Sequence, residues 1–167
     1  MKVRIKNKGF SLVELIVVIA ILGVMTAVGG YALTAISSAN AKECAREIEA
    51  GLISTRTQSY SSDTATSVVS VSFYKGTDGI YMKKSFEPEA KKIGGSRVSV
   101  SYQTIGSVYT DLGSDAITFS FNRSSGAFRE MKVAGSAAGM CQSIKITSGS
   151  KTYTITCYEH TGKTMLE

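Results

Sequence analysis

The spacing of apolar and polar residues divides the chain into three regimes. From Leu15 to Ala41 there is no charged residue, a run of 27. Its inner part, Leu15 to Ile36, is 22 residues long and mostly aliphatic. At about 1.5 Å per residue such a helix crosses a hydrocarbon layer about 30 Å thick. The next regime keeps a helical period but becomes one-sided. Ala41, Cys44, Ala45, Ile48 and Leu52 share a face, while Lys42, Glu43, Arg46, Glu47 and Glu49 cover the rest. That pattern predicts an amphipathic continuation laid against a domain. A single helix from Ser11 to about Ser59 would be roughly 75 Å long.

The third regime alternates. Ser59 to Ser67 reads as a loop by composition. Val68 to Tyr74 predicts a strand, with Thr77-Asp78-Gly79 as its turn. Ser85 to Ile93 is expected to hold a short helix starting near Pro88 and closed by Gly94-Gly95. Arg97 to Ile105 alternates again. Ile117, Phe119 and Phe121 share one face of a strand, Ser124-Ser125-Gly126 turns the chain, and Ala127 to Val133 returns. Gln142 to Ser148 and Lys151 to Tyr158 flank Gly149-Ser150, a two-residue hairpin signal. The register that makes one face apolar sets Ile146 opposite Tyr153 and Ile144 opposite Ile155. The expected fold is α+β: a long N-terminal helix, transmembrane in its first half, packed on an antiparallel sheet. The expected organisation is a basic leader over 1–9, a hydrophobic helix over 10–37, an amphipathic continuation over 38–60 and a β-rich headpiece over 61–167.

Charge sharpens this picture. The formal net charge of the 167 residues is +6. Lys2, Arg4, Lys6 and Lys8 precede Gly9 with no acid among them, and without them 15 basic residues face 13 acidic ones. The basic character thus belongs to a leader, which holds the cytoplasmic side of a membrane segment. Lys145, Lys151 and Lys163 are the candidate phosphate contacts near the final hairpin. They are spaced, whereas phosphate binding needs a concentrated basic patch, so nucleic acid is a disfavoured partner.

The residues at the mouth of the apolar segment carry the most specific signal. They read Gly9-Phe10-Ser11-Leu12-Val13-Glu14-Leu15-Ile16-Val17-Val18-Ile19-Ala20-Ile21-Leu22. A carboxylate entering a membrane helix is costly and calls for a partner. This run closely resembles the class III signal of type IV prepilins and type II secretion pseudopilins. The resemblance covers about the first 30 residues. It implies cleavage by a membrane prepilin peptidase between Gly9 and Phe10, and N-methylation of Phe10. It implies that Glu14 pairs with the N-terminal amine of a neighbouring subunit. The partners it implies are other pilin or pseudopilin subunits, the peptidase and the membrane; the place it implies is the inner membrane first, then an extracellular or periplasmic filament. Many members carry a Pro partway along this segment. Here the only Pro is Pro88, and Gly29-Gly30 stands in the helix instead. The last 50 or so residues, with Tyr153 to Thr156 and His160-Thr161-Gly162-Lys163, are loosely similar to the H-type minor pseudopilins.

Two alternatives stand beside this reading. Ala39-Asn40-Ala41 fits a small-residue cleavage site, which would release a secreted or tethered binding domain. Some minor pilins of the family bind DNA during competence, which Lys145, Lys151 and Lys163 would serve. Enzymatic chemistry lacks a basis: His160 is the only histidine, and no phosphate loop or nucleophile motif appears. No cofactor or metal is expected. The cysteines, Cys44, Cys141 and Cys157, have no C-x-x-C spacing. Strict alternation turns Cys141 away from the apolar face, which disfavours a Cys141–Cys157 bridge unless a bulge shifts one strand. Cys44 and Cys157 are then the candidate pair under the helix, and small buried thiols the plainer expectation.

Overall fold

The computed structural model describes residues 10–61 and 68–167, and the side chains of all of these except 27–37. The expected leader, 1–9, and residues 62–67 of the expected loop lie outside the described residues. The chain divides into two compact units, Met1–Ala35 and Ile36–Glu167. The fold is α+β, a helix followed by antiparallel strands.

Helix α1 spans Leu12–Ser61. Its stretch within the second unit follows the predicted face. Ala41, Cys44, Ala45, Ile48 and Leu52 are all buried to within 1 % exposure, and Thr55 and Ser59 continue the row. The two hydroxyls sit in this apolar row without penalty because they bond within the helix. Thr55 Oγ1 donates to the Gly51 carbonyl and Ser59 Oγ to the Arg56 carbonyl, each at 2.7 Å. Among the described residues no helix is long and apolar enough to cross a membrane. The span expected from the sequence, Leu15 to Ile36, extends into residues whose side chains lie outside the described ones.

One antiparallel sheet was expected, and there are two. The first contains β1 (Ser70–Lys75), β2 (Gly79–Lys84), β3 (Lys91–Gly95), β6 (Ile117–Phe121), β7 (Phe128–Val133) and β8 (Ser136–Ala137), in the order β3-β2-β1-β6-β7-β8. The second contains β4 (Ser99–Thr104), β5 (Thr110–Asp111), β9 (Cys141–Ser148), β10 (Lys151–Tyr158) and β11 (Lys163–Leu166), in the order β11-β10-β9-β4-β5. The β9–β10 hairpin has the register its apolar face demands, with Ile146 opposite Tyr153 and Ile144 opposite Ile155. The two sheets and the helix row share one core. Ile48 of α1 lines the same apolar interstice as Phe73, Ile117 and Phe119 of the first sheet and Val100 and Ile144 of the second. Phe73 and Phe119 meet edge to face at 6.0 Å between centroids, as do Phe119 and Phe128.

The short helix expected near Pro88 is absent. Residues 85–89 form turns, and the chain then enters β3, which pairs with β2. The glycines taken for a helix stop serve another purpose. A Cβ on Gly94 would lie 2.9 Å from Cys44 Sγ and 3.3 Å from Ile80 Cβ. Gly94 therefore lets the edge strand run close beneath α1. Lys91, at the start of this strand, reaches both carboxylate oxygens of Glu47 at 2.8 and 2.9 Å.

A second close approach joins three elements. Gly162, in the β10–β11 turn, has φ +63°, and an added Cβ would overlap the carbonyl oxygen of Gly126 in the β6–β7 turn. Arg56 Nε of α1 donates to that same carbonyl at 3.1 Å, and Tyr60 Oη donates to the Ser125 carbonyl at 3.0 Å. The Phe128 amide donates to the Glu159 carbonyl. One turn of each sheet is thereby pinned to the last turns of the helix.

Candidate processing and assembly segment

The front of α1 differs from its packed stretch in one elementary respect: among the described residues its large apolar side chains are exposed. Phe10 is 83 % exposed, and every large aliphatic residue from Leu12 to Met25 is at least 45 % exposed. Glu14 is the only charged residue between Phe10 and Met25. A helix apolar on all sides is a helix for lipid or for neighbouring helices. So large an uncovered apolar surface marks a binding region.

Glu14 lies in the first turn of the helix. The Glu14 amide donates to Ser11 Oγ at 3.2 Å, and the Ser11 amide reaches back to Glu14 Oε2 at 3.5 Å. This is a capping box, in which two otherwise unpaired amides of the first turn are satisfied reciprocally. The return contact sits at the outer limit of hydrogen bonding, so the carboxylate is only loosely engaged. It also sits at the positive end of the helix dipole. Ser11 was not singled out from the sequence, although the S-x-x-E spacing of Ser11 and Glu14 is the signature of such a cap. Gly9, on the leader side of the expected cut, lies outside the described residues, while Phe10 lies exposed ahead of the first turn.

The competing cut site has a different setting. Ala39, Asn40 and Ala41 are helical, and Ala41 is fully buried as the first residue of the core row. The peptide bond after Ala41 lies inside a helix and against the core.

The three lysines do not converge. Lys145 stands opposite Thr154 in the middle of β10, Lys151 opens β10 at the hairpin turn, and Lys163 stands opposite Tyr158 at its far end. At about 3.4 Å per residue they are strung out along the strand roughly 10 and 14 Å apart. Lys145 Nζ stacks over the Tyr109 ring at 4.3 Å from its centroid. His160 is exposed in the β10–β11 turn.

The cysteines are placed differently from the expectation. All three are free and buried. Cys44 lies against Gly94 and near Ile80, in the first sheet. Burial pushes its thiol up to about 12, and the Glu47 and Glu43 carboxylates add to the effect. The thiol that Cys157 meets is that of Cys141. Hydrogen bonding to Cys157, followed by burial, holds the Cys141 thiol well above the ordinary range. A bulge accounts for this arrangement: between β4 and β9 the register steps from Gln103 opposite Ser143 to Thr104 opposite Cys141. Gln142 is the extra residue, and Cys141 turns inward.

Residues 4–30 match the family model described as the prokaryotic N-terminal methylation motif. No curated protein and no solved structure matches the chain. The match covers the exposed apolar turns, Glu14 and its cap, and the basic residues from Arg4 onward, so the front of α1 carries a prokaryotic N-terminal methylation motif.

Proposed function

We propose that the chain is a structural subunit, a minor pilin or pseudopilin, of a type IV pilus or of a related secretion or competence filament. The observation that carries this reading is the methylation motif over residues 4–30, on a helix whose apolar side chains are uncovered from Phe10 to Met25. In this account a prepilin peptidase cuts between Gly9 and Phe10 and methylates Phe10. The segment 10–37 first anchors the subunit in the membrane, single-pass, with the basic leader on the cytoplasmic side. It then serves as the polymerisation helix, while the headpiece remains outside the membrane. No catalytic role is assigned to any residue.

Glu14 provides the registration. Cleavage leaves a positive amine on Phe10 in every subunit, inside an apolar layer. A carboxylate one turn along the helix of a neighbour neutralises it in a single stagger. Each charge alone is costly in that layer, and leaving one unpaired costs on the order of 3–5 kcal/mol. The loose capping contact of Glu14 with Ser11 suits this role, since little is lost when the carboxylate turns to another partner. The filament contacts are head-to-tail, so they propagate without closing.

Incorporation of Glu14→Ala and wild-type chains into sheared surface filaments or crosslinked membrane assemblies tests the proposal. The expected result is processed, membrane-held Glu14→Ala subunit with at least a hundredfold loss of incorporation, the ratio that about 3 kcal/mol implies. Wild-type incorporation by the variant would remove the registration role. The reading of an exported domain released after Ala41 gains nothing from the buried, helical setting of that bond.

A further inference from the structure

We propose that Cys141 and Cys157 form a disulfide bond in the mature protein, leaving Cys44 as a permanently free thiol. The pairing is inferred from strand geometry alone. Its formation in the cell rests on the reading above, that the headpiece lies outside the membrane, where thiols are oxidised.

Cys141 opens β9 and Cys157 lies next to the end of β10. These are adjacent antiparallel strands, and their register runs to Thr156 opposite Ser143. Continued without interruption, it would place Cys157 opposite Gln142 and turn Cys141 to the outer face. The extra residue at Gln142 removes that obstacle. Gln142 is exposed, whereas Cys141 and Cys157 are 5 % and 7 % exposed. Both thiols therefore point into the same end of the core. Residues facing one another across antiparallel strands have Cα atoms about 4.5–5.5 Å apart. A disulfide requires about 4.4–6.8 Å. Cys157 and Cys141 lie just past the last pair of this register, Thr156 opposite Ser143, so the strand spacing is of the order a disulfide requires.

Cys44 is excluded by its own surroundings. It occupies the notch left by Gly94, under α1 and against the first sheet. Cys141 and Cys157 both belong to the second.

The oxidant is a disulfide of the thiol–disulfide exchange class, either a protein oxidase or a small-molecule disulfide. One thiolate of the pair attacks it to form a mixed disulfide and releases the first oxidant thiol. The second thiolate then displaces the other oxidant sulfur. The two thiol protons and two electrons leave with the oxidant, now a dithiol. In the folded chain both sulfurs are buried, and β11 pairs alongside, with Thr164 opposite Cys157. The exchange therefore belongs to folding, before β11 is laid down. The bond then clamps the open end of the β9–β10 hairpin.

The test is refolding. Full-length chain is reduced and unfolded in denaturant, then refolded in detergent against mixed oxidised and reduced glutathione. It is next alkylated in denaturant, digested and weighed. The expected product is a Cys141–Cys157 linked peptide with an alkyl group on Cys44 alone. Cys44→Ser should form the same link, and Cys157→Ser should leave Cys141 and Cys44 both alkylated. Three alkylated cysteines in the refolded wild type, or a peptide linking Cys44 to either partner, would overturn the pairing. Chain alkylated inside living cells separates the two claims. An oxidised pair there supports both. A pair that forms on refolding but is reduced in cells speaks against the exported headpiece and not against the pairing.

Discussion

Helix α1 contains two stretches of the same secondary structure with opposite relations to their surroundings. From Leu12 to Met25 the large side chains are aliphatic on every side and all exposed. From Ala41 to Ser59 only one face is apolar, and that face is buried row by row. The first stretch has more hydrophobic surface and, among the described residues, leaves much of it exposed. The second has less and covers nearly all of it. Hydrophobicity alone therefore does not define a core. What distinguishes the second stretch is its polar complement, Lys42, Glu43, Arg46 and Glu49, which fixes one side toward water and so leaves one side for the sheets. The first stretch has no such side. Its only charge is Glu14, at the very end, where it cannot orient a face.

If the two stretches have separate tasks, substitutions should separate them. The largest effect on headpiece stability is expected in the packed stretch. Ile48→Ala empties a site shared by α1 and both sheets, and should cost about 2–5 kcal/mol. Thermal unfolding of the full chain in detergent, followed by near-UV circular dichroism, would show the loss, while membrane insertion stays unchanged. Gly162→Ala should follow at about 2–4 kcal/mol. It combines a positive φ with an overlap onto the Gly126 carbonyl, and so should unpin both turns from Arg56. The same unfolding measurement checks it, and Lys163→Ala, one residue on, should change Tm by little. Ser11→Ala removes a cap and should cost about 1 kcal/mol of first-turn stability. Its expected signature is faster amide hydrogen exchange confined to residues 11–15, with unchanged headpiece Tm. The smallest effect is expected for Ile19→Ala, whose side chain is 58 % exposed. Headpiece stability should move by less than about 0.5 kcal/mol. A drop as large as that of Ile48→Ala would mean that the apolar stretch is a core element, and the division of tasks would fail.

The legible parts of the molecule are those in which one local rule acts alone. The helix row from Ala41 to Leu52 is plain because five apolar residues recur at helical spacing between charges. The β9–β10 register is plain because a two-residue turn and an alternating face agree. The Ile117–Phe121 strand, its turn and its return are plain for the same reason. What the pattern hides is decided by distant partners. Gly94-Gly95 looks like a helix stop in isolation, yet Gly94 belongs to a strand whose close passage under Cys44 only the assembled core reveals. The division of the strands into two sheets depends on β1 pairing with β6 and β4 with β9, contacts far apart in sequence. The bulge at Gln142 shifts one strand by one residue, and nothing in the local pattern of Met140 to Ser143 announces it. This single residue reverses the expected orientation of Cys141. In the candidate segment, Phe10 and Glu14 are the residues the resemblance singles out. The cap at Ser11 is equally local, written in the same four residues.

The central claim is that the apolar stretch stays with the protein as an assembly helix, after losing only its leader. The mass of the N-terminal peptide of the chain recovered from cells tests it most directly. The account predicts a terminus at Phe10 carrying one N-methyl group, with Glu14 and the whole apolar stretch retained. A terminus at Lys42, with the apolar stretch gone, would contradict it.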